Sequence, residues 1–182
     1  MGSTYSEIRG ADKAFMEKQQ VYFVATATDT SSINLSPKGR DTLRVLSPNR
    51  VVWLNLTGSG NETSAHLQHD GRITIMYCAF EGNPLILRLY GRARVVHTHD
   101  KQWDELAGLF DQNPTARQFV DCEVTMVQRS CGFGVPFMEY KGVRPNMKSW
   151  AKRHGPDELR QYWEAKNQAS IDGIPTNIMD DS

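Results

Sequence analysis

Between Asn34 and Leu67 the chain gathers a lysine set between Pro and Gly, several hydroxyls and small residues in an order suited to an anionic ligand. Ser36-Pro37-Lys38-Gly39 sets a lysine between turn-forming residues, and Thr57-Gly58-Ser59-Gly60 runs directly into Asn61-Glu62-Thr63-Ser64. Ser59 and Glu62 fit a capping box, in which the serine oxygen accepts from the third backbone N–H and the glutamate reaches back to the cap. A helix start offers unpaired N–H groups and the positive end of a dipole, and Gly58 and Gly60 would let an anion approach the backbone closely. The hydroxyls of Thr57, Ser59, Thr63 and Ser64 add donors. The chemistry implied is capture of a phosphate-bearing ligand. The same residues also suit plainer roles: Thr-Gly-Ser-Gly as a strand-to-helix turn, and Lys38 as a solvated turn lysine. Arg40 and Arg44 are of second rank, because an arginine inside an apolar alternation such as Leu43-Arg44-Val45-Leu46 points to solvent or a subunit contact.

The elements that must position these residues are mostly strands. Period-two apolar runs cover Val21–Thr28, Ile33–Ser36, Leu43–Leu46, Arg50–Leu56, Arg72–Phe80, Leu85–His97 and Cys122–Arg129. Helices are expected at Ala11–Gln20, Asn61–His69, Lys101–Phe110 and Asp157–Gln168, the last following Gly155-Pro156 with proline suited to a first turn. Strands joined by short turns, with few helices between them, favour an antiparallel barrel over a parallel sheet. The expected architecture is therefore mainly β with peripheral helices. One domain over residues 1–182 is expected, with a C-terminal helix and tail over about residues 156–182.

Composition narrows the function classes. Lys+Arg and Asp+Glu are equal at 21 each, so no global basic field argues for nucleic acid or an acidic membrane surface. No apolar run approaches the roughly 18 residues of a membrane span. The first residues lack the apolar stretch of a secretory leader, so the cytoplasm is the expected compartment. Cys78, Cys122 and Cys131 have neither a disulfide framework nor zinc-type spacing, and the thiol of Cys131 is expected in an exposed loop. The pairs His66/His69 and His97/His99 stand without a nearby carboxylate cluster, so no metal centre is indicated.

Val24-Ala25-Thr26-Ala27, Asn34-Leu35-Ser36-Pro37-Lys38-Gly39 and Trp53-Leu54-Asn55-Leu56-Thr57-Gly58-Ser59-Gly60-Asn61-Glu62-Thr63-Ser64-Ala65-His66-Leu67, in that order, resemble the pyridoxamine 5'-phosphate oxidase-like flavoproteins. Arg72-Ile73-Thr74-Ile75-Met76, Leu89-Tyr90-Gly91-Arg92-Ala93, Cys131-Gly132-Phe133-Gly134-Val135-Pro136 and Ser170-Ile171-Asp172-Gly173 extend the resemblance over nearly the whole chain and look like one subgroup. The resemblance implies a six-stranded antiparallel split β-barrel of the FMN-binding type, a homodimer, and FMN in a groove between subunits. It maps main-chain contacts to the flavin ring onto Asn34, Leu35, Ser36 and Pro37, and phosphate contacts onto Lys38, Thr57, Ser59, Asn61, Thr63 and Ser64. The chain departs from true pyridoxamine 5'-phosphate oxidases, which carry an Arg-Lys pair near the place of Thr63-Ser64, so the phosphate is expected to meet fewer cations. Their C-terminal substrate-binding arginine and histidine have no counterpart in Trp150-Ala151-Lys152-Arg153-His154, which argues against vitamin B6 oxidation.

Three functions stay open at this level. The first is an FMN-dependent oxidoreductase for an unidentified small molecule, with a nicotinamide cofactor or oxygen as second substrate. The second is a non-catalytic flavin- or haem-binding sensor or store, for which His66 or His69 would supply an axial ligand. The third is a deazaflavin-dependent reductase. Trp53 and Trp150 suit a core or interface role better than stacking on a ring. Substituting Lys38 by alanine, or placing aspartate at Thr63, is expected to weaken FMN retention while leaving the barrel folded.

Overall fold

The computed structural model describes residues 2–39, 41–144, 153 and 155–179. Its strands are β1 (Ser3–Tyr5), β2 (Val21–Thr26), β3 (Asn34–Gly39), β4 (Leu43–Ser47), β5 (Arg50–Leu56), β6 (Arg72–Cys78), β7 (Ile86–Val96) and β8 (Ala116–Ser130). The helices are α1 (Gly10–Lys18), α2 (Glu62–His69), α3 (Trp103–Ala107) and α4 (Pro156–Lys166). All eight strands join one antiparallel sheet in the order β3-β2-β6-β7-β8-β5-β4, with β1 added beside β8. The mainly β, split-barrel reading holds, with eight strands rather than six. One of the additional strands is β1, three residues long and too short to show a period.

Alternation explains which face is buried. Tyr22 and Val24 of β2, Ile73, Ile75 and Tyr77 of β6, and Leu87 and Leu89 of β7 turn inward at every second position. They meet Val51, Trp53, Val120 and Cys122 in one apolar cluster. Fully burying side chains of this size stabilises the fold by roughly 1.5–3 kcal/mol each before entropy is counted. β5 and the start of β8 are buried on both faces, because Val52, Leu54 and Phe119 form a second cluster with Leu106 of α3. That two-sided burial hides the start of β8 from a period-two reading, which begins the strand at Cys122 instead of Ala116.

β3 and β4 lie at opposite ends of the sheet order yet follow each other in the chain, so the sheet has to curl until its ends meet. Thr42 sits in that seam. Its hydroxyl lies 2.9 Å from the Tyr22 hydroxyl of β2, and its carbonyl accepts from Leu54 N–H of β5 at 2.8 Å. Side chain and loop contacts thus close the barrel where the strand ladder does not. β3 also runs further than expected. Ser36-Pro37-Lys38-Gly39 is strand, paired from Ser36↔Val24 to Gly39↔Val21, and not a turn. Proline is tolerated here because β3 is an edge strand and needs no ladder donor on its open side. Gly39 suits the position because a Cβ would stand 2.8 Å from the Gln20 carbonyl oxygen.

The β7–β8 pairing shifts register between Tyr90 and Gly91, bringing Gly91 opposite Val124. A Cβ at Gly91 would lie 2.1 Å from the Glu123 carbonyl oxygen. Gly91→Ala is accordingly expected to destabilise the protein by about 3 kcal/mol, read as a lowered urea midpoint; an unchanged midpoint would contradict this backbone approach.

Candidate functional site

Lys38 leaves β3 across the seam, with its Nζ 4.7 Å from the centre of the Trp53 ring of β5. It forms no ion pair with any described residue. Burial and the nearby Arg117 guanidinium push its pKa down from 10.5 to about 8, against a smaller upward pull from Glu62. Beside it opens a cavity of about 770 Å³, lined by Pro37, Lys38, Trp53, Asn55 and Thr57, with Tyr140 and Val143 at its rim. That volume lies within the roughly 300–1,000 Å³ range of small-molecule sites.

The 57–61 loop at the end of β5 is held from behind by Arg117 of β8, a residue only 3% exposed. Its Nη1 donates to the Gly58 carbonyl at 3.1 Å and its Nη2 to the Gly60 carbonyl at 2.8 Å. Its buried Nε has no acceptor, and burial lowers its pKa to about 10. Across a trans peptide the N–H points away from the preceding carbonyl. Turning the Gly58 carbonyl toward Arg117 therefore turns the Ser59 N–H away from it. A buried guanidinium without a carboxylate partner is costly. A second anion at this place would relieve that cost.

α4 and the segment after it, the C-terminal strap, also hold the loop. Trp163 Nε1 donates to Thr57 Oγ1 at 3.0 Å, and Asn167 Nδ2 donates to the Gly58 carbonyl at 2.9 Å and to Asn61 Oδ1 at 2.8 Å. Asn61 Nδ2 donates to the carbonyls of Lys166 and Ala169, and Ser64 Oγ to that of Thr176. Asn61 is the N-cap of α2 but makes no side-chain cap bond, since its amide faces the strap. The Ser59–Glu62 capping box does not form. The helix begins two residues later than that motif requires, and Glu62 reaches back to Asn61 N–H from the first helical position at 3.0 Å.

The sequence-selected residues therefore fall into distinct environments. Lys38 and Thr57 line the cavity together with Pro37. Ser59 is exposed at the loop tip, and Leu35 and Pro37 lie on the edge strand, Leu35 exposed and Pro37 with its N–H-free side open. Asn34 is buried and locks β3 to α2, with Nδ2 donating to Thr26 Oγ1 at 3.0 Å and to Thr63 Oγ1 at 2.9 Å, while Ser36 Oγ donates to its Oδ1. Thr57, Asn61 and Ser64 have their polar atoms engaged with the chain itself, Thr57 also donating to the Thr115 carbonyl and Ser64 accepting from Gln118. Thr63 is buried, so aspartate there would carry a charge into the interior and is not the clean probe that the sequence suggests. Arg44 is a structural residue, bonded to Asp41 and lying over Phe110 at 4.7 Å. His66 is fully buried, with Nδ1 3.2 Å from Thr26 Oγ1 and Nε2 without a partner among the described residues; exposed His69 ends α2. Trp53 is a core residue, and Cys131 is exposed as expected. Arg153 is exposed, whereas Arg40, Trp150, Ala151, Lys152 and His154 lie outside the described residues.

Arg117, Trp163 and Asn167 escaped the sequence reading, although all three shape the loop. Arg117 carried a usable signal, a lone cation in the otherwise uncharged Ala116–Val120 run. It brings a second cation to the loop from a distant part of the chain. Among the described residues no group of three or more histidines, cysteines or acids is placed to hold a metal, and no helix is long and apolar enough to cross a membrane.

Residues 8–130 match the family model described as pyridoxamine 5'-phosphate oxidase. The Aspergillus flavus pyridoxamine 5'-phosphate oxidase family protein ustO is 33% identical over 179 residues, a match spanning 87% of this chain and 71% of that protein. Among solved structures, Group A Streptococcus HupZ superposes with a TM-score of 0.51 at 18% identity, over 65% of this chain and 91% of the HupZ chain. A Lactobacillus delbrueckii protein provisionally assigned as a pyridoxamine 5'-phosphate oxidase gives 0.52 at 16% identity, over 68% and 98% of the two chains. These two structures share the fold, and the family model with the Aspergillus relative decides the kinship: the chain belongs to the pyridoxamine 5'-phosphate oxidase family.

Proposed function

We propose that this protein is a cytoplasmic FMN-dependent oxidoreductase for a small molecule, with the flavin phosphate held at Lys38 and the 57–61 loop. The observation that carries the reading is a pair of desolvated cations, Lys38 and Arg117, neither in an ion pair among the described residues, beside a ligand-sized cavity. The orphaned Arg117 Nε fits an anionic group at this place. Lys38 would hold the phosphate by charge, and Ser59 by its hydroxyl and N–H. Asn61, Thr63, Ser64 and Thr57 hold the loop and the start of α2 in shape behind it. The open edge of β3, from Asn34 to Pro37, would present main-chain groups to the ring system, and the locked Asn34 side chain fixes that edge. Bound flavin would supply the hydride and electron chemistry. Backbone donors fixed on a strand edge stabilise negative charge with little reorganisation, which is the contribution this chain would make to reduction.

A second copy of the chain would complete the groove. Ile33 and Leu35 on β3 and just before it, and Phe133 and Phe137 after β8, are exposed large apolar residues, the last two more than 80% exposed. Exposed side chains of this size are candidates for a contact with a second copy. Purified protein should therefore run as a dimer in light scattering, and a monomer that still retains FMN would contradict the shared groove.

Absorbance of freshly purified protein should show paired flavin bands. A Soret band would place haem in the site instead, and a deazaflavin spectrum would replace FMN in the proposal. Lys38→Met should have two opposed effects. It should weaken FMN binding by about tenfold or more, the loss of a charge-assisted contact. It should also raise the thermal midpoint of ligand-free protein at pH 7, because a lysine whose pKa falls from 10.5 unfolded to about 8 folded costs stability while charged. That gain should be full below pH 8 and disappear as the pH rises toward 10.5, where the lysine is neutral in both states. Wild-type affinity for FMN should fall as the pH rises through about 8. Affinity indifferent to both the substitution and the pH would reject Lys38 as the phosphate cation.

A further inference from the structure

The loop already holds an anion, supplied by the chain. Glu62 is the first residue of α2, where an acid is favoured by the helix dipole. Its side chain does not extend into solvent but folds back over the loop. Oε2 accepts the Asn61 N–H at 3.0 Å and lies 3.7 Å from the position of a Cβ on Gly60. Oε1 accepts the Ile171 N–H of the C-terminal strap at 3.3 Å. The same carboxylate acts electrostatically on both Lys38 and Arg117, and it is the acid felt by both. A loop amide, the positive end of a helix and two cations are the groups that a phosphate would use. Here they face a glutamate.

We infer that Glu62 is an internal counter-ion that competes with the ligand phosphate, withdrawing from the Asn61 amide when the phosphate docks and so setting how strongly the site prefers a phosphorylated ligand. This rests on the phosphate reading above. Two cations and one carboxylate leave a single positive charge facing a head group of about −2. Like charges at contact distance repel strongly in a partly desolvated site, so the glutamate has to move or the head group binds weakly. The fold allows the movement. Gly60 puts no side chain beneath the carboxylate, and the bond to Ile171 N–H joins an exposed residue of the strap, so releasing it strands no buried donor.

The quantity that tests this is the ratio of riboflavin to FMN dissociation constants, because the two ligands differ only in the phosphate. It can be measured by quenching of flavin fluorescence on wild-type protein, Glu62→Gln and Lys38→Met. Glutamine keeps an acceptor for the Asn61 N–H while removing the charge. Glu62→Gln should raise the ratio by about tenfold or more and leave riboflavin affinity nearly unchanged, whereas Lys38→Met should lower it. Glu62→Ala, which removes charge and acceptor together, should raise the ratio in the same sense and serves if the glutamine variant folds poorly. A ratio above unity that Lys38→Met lowers but neither Glu62 variant raises would overturn the counter-ion role and leave the phosphate site standing. A ratio of one in all of these proteins would remove the phosphate site, and the role of Glu62 with it.

Discussion

A single sheet whose two end strands are consecutive in the chain cannot lie flat. The direct passage from β3 to β4 forces the curl, and the Thr42 contacts to Tyr22 and Leu54 hold the seam without a ladder of strand hydrogen bonds. Every feature of the site depends on that closure. It brings Lys38 of β3 over Trp53 of β5, leaves the outer edge of β3 open, and opens the cavity along the seam. A closed ladder between β3 and β4 would remove the edge and fill the gap.

Around that gap the chain divides its polar groups between architecture and binding. Asn34, Thr57, Asn61, Ser64, Trp163 and Asn167 satisfy one another or the nearby backbone, as buried polar groups must if they are not to destabilise the fold. What they fix is the path of the 57–61 loop. Among the described residues Lys38 has no ion pair, and Arg117 Nε, Asn167 Oδ1 and His66 Nε2 are buried polar atoms without a hydrogen-bond partner. An anion that complemented the two cations would require little rearrangement of the network around them.

The C-terminal strap lies after the region that the family model matches. The family model ends at residue 130, so α4 and the segment after it lie beyond the matched region, yet they supply Trp163, Asn167 and the Ile171 N–H to the loop and to Glu62. The 57–61 loop is therefore shaped jointly by residues inside the matched region and by a segment after it.

Much of the barrel was legible in the residues, because a half-buried strand alternates and the alternation survives in β2, β6 and β7. The candidate loop was legible too, since glycines, hydroxyls and a helix start are local signals. Where burial acts on both faces, as at the start of β8, the period vanished and Arg117 vanished with it. Pro37-Lys38-Gly39 carries turn chemistry that an edge strand can absorb, so only the pairing with β2 revealed it as strand. Local propensity by itself determined that this chain makes an antiparallel β protein with an anion-friendly loop. Tertiary structure alone decided that two cations from β3 and β8 would share that loop, that its hydroxyls would be claimed by a strap some hundred residues away, and that Glu62 would turn back upon it. Contacts across such separations follow from how the sheet curls, and a one-dimensional pattern holds no trace of which faces will meet.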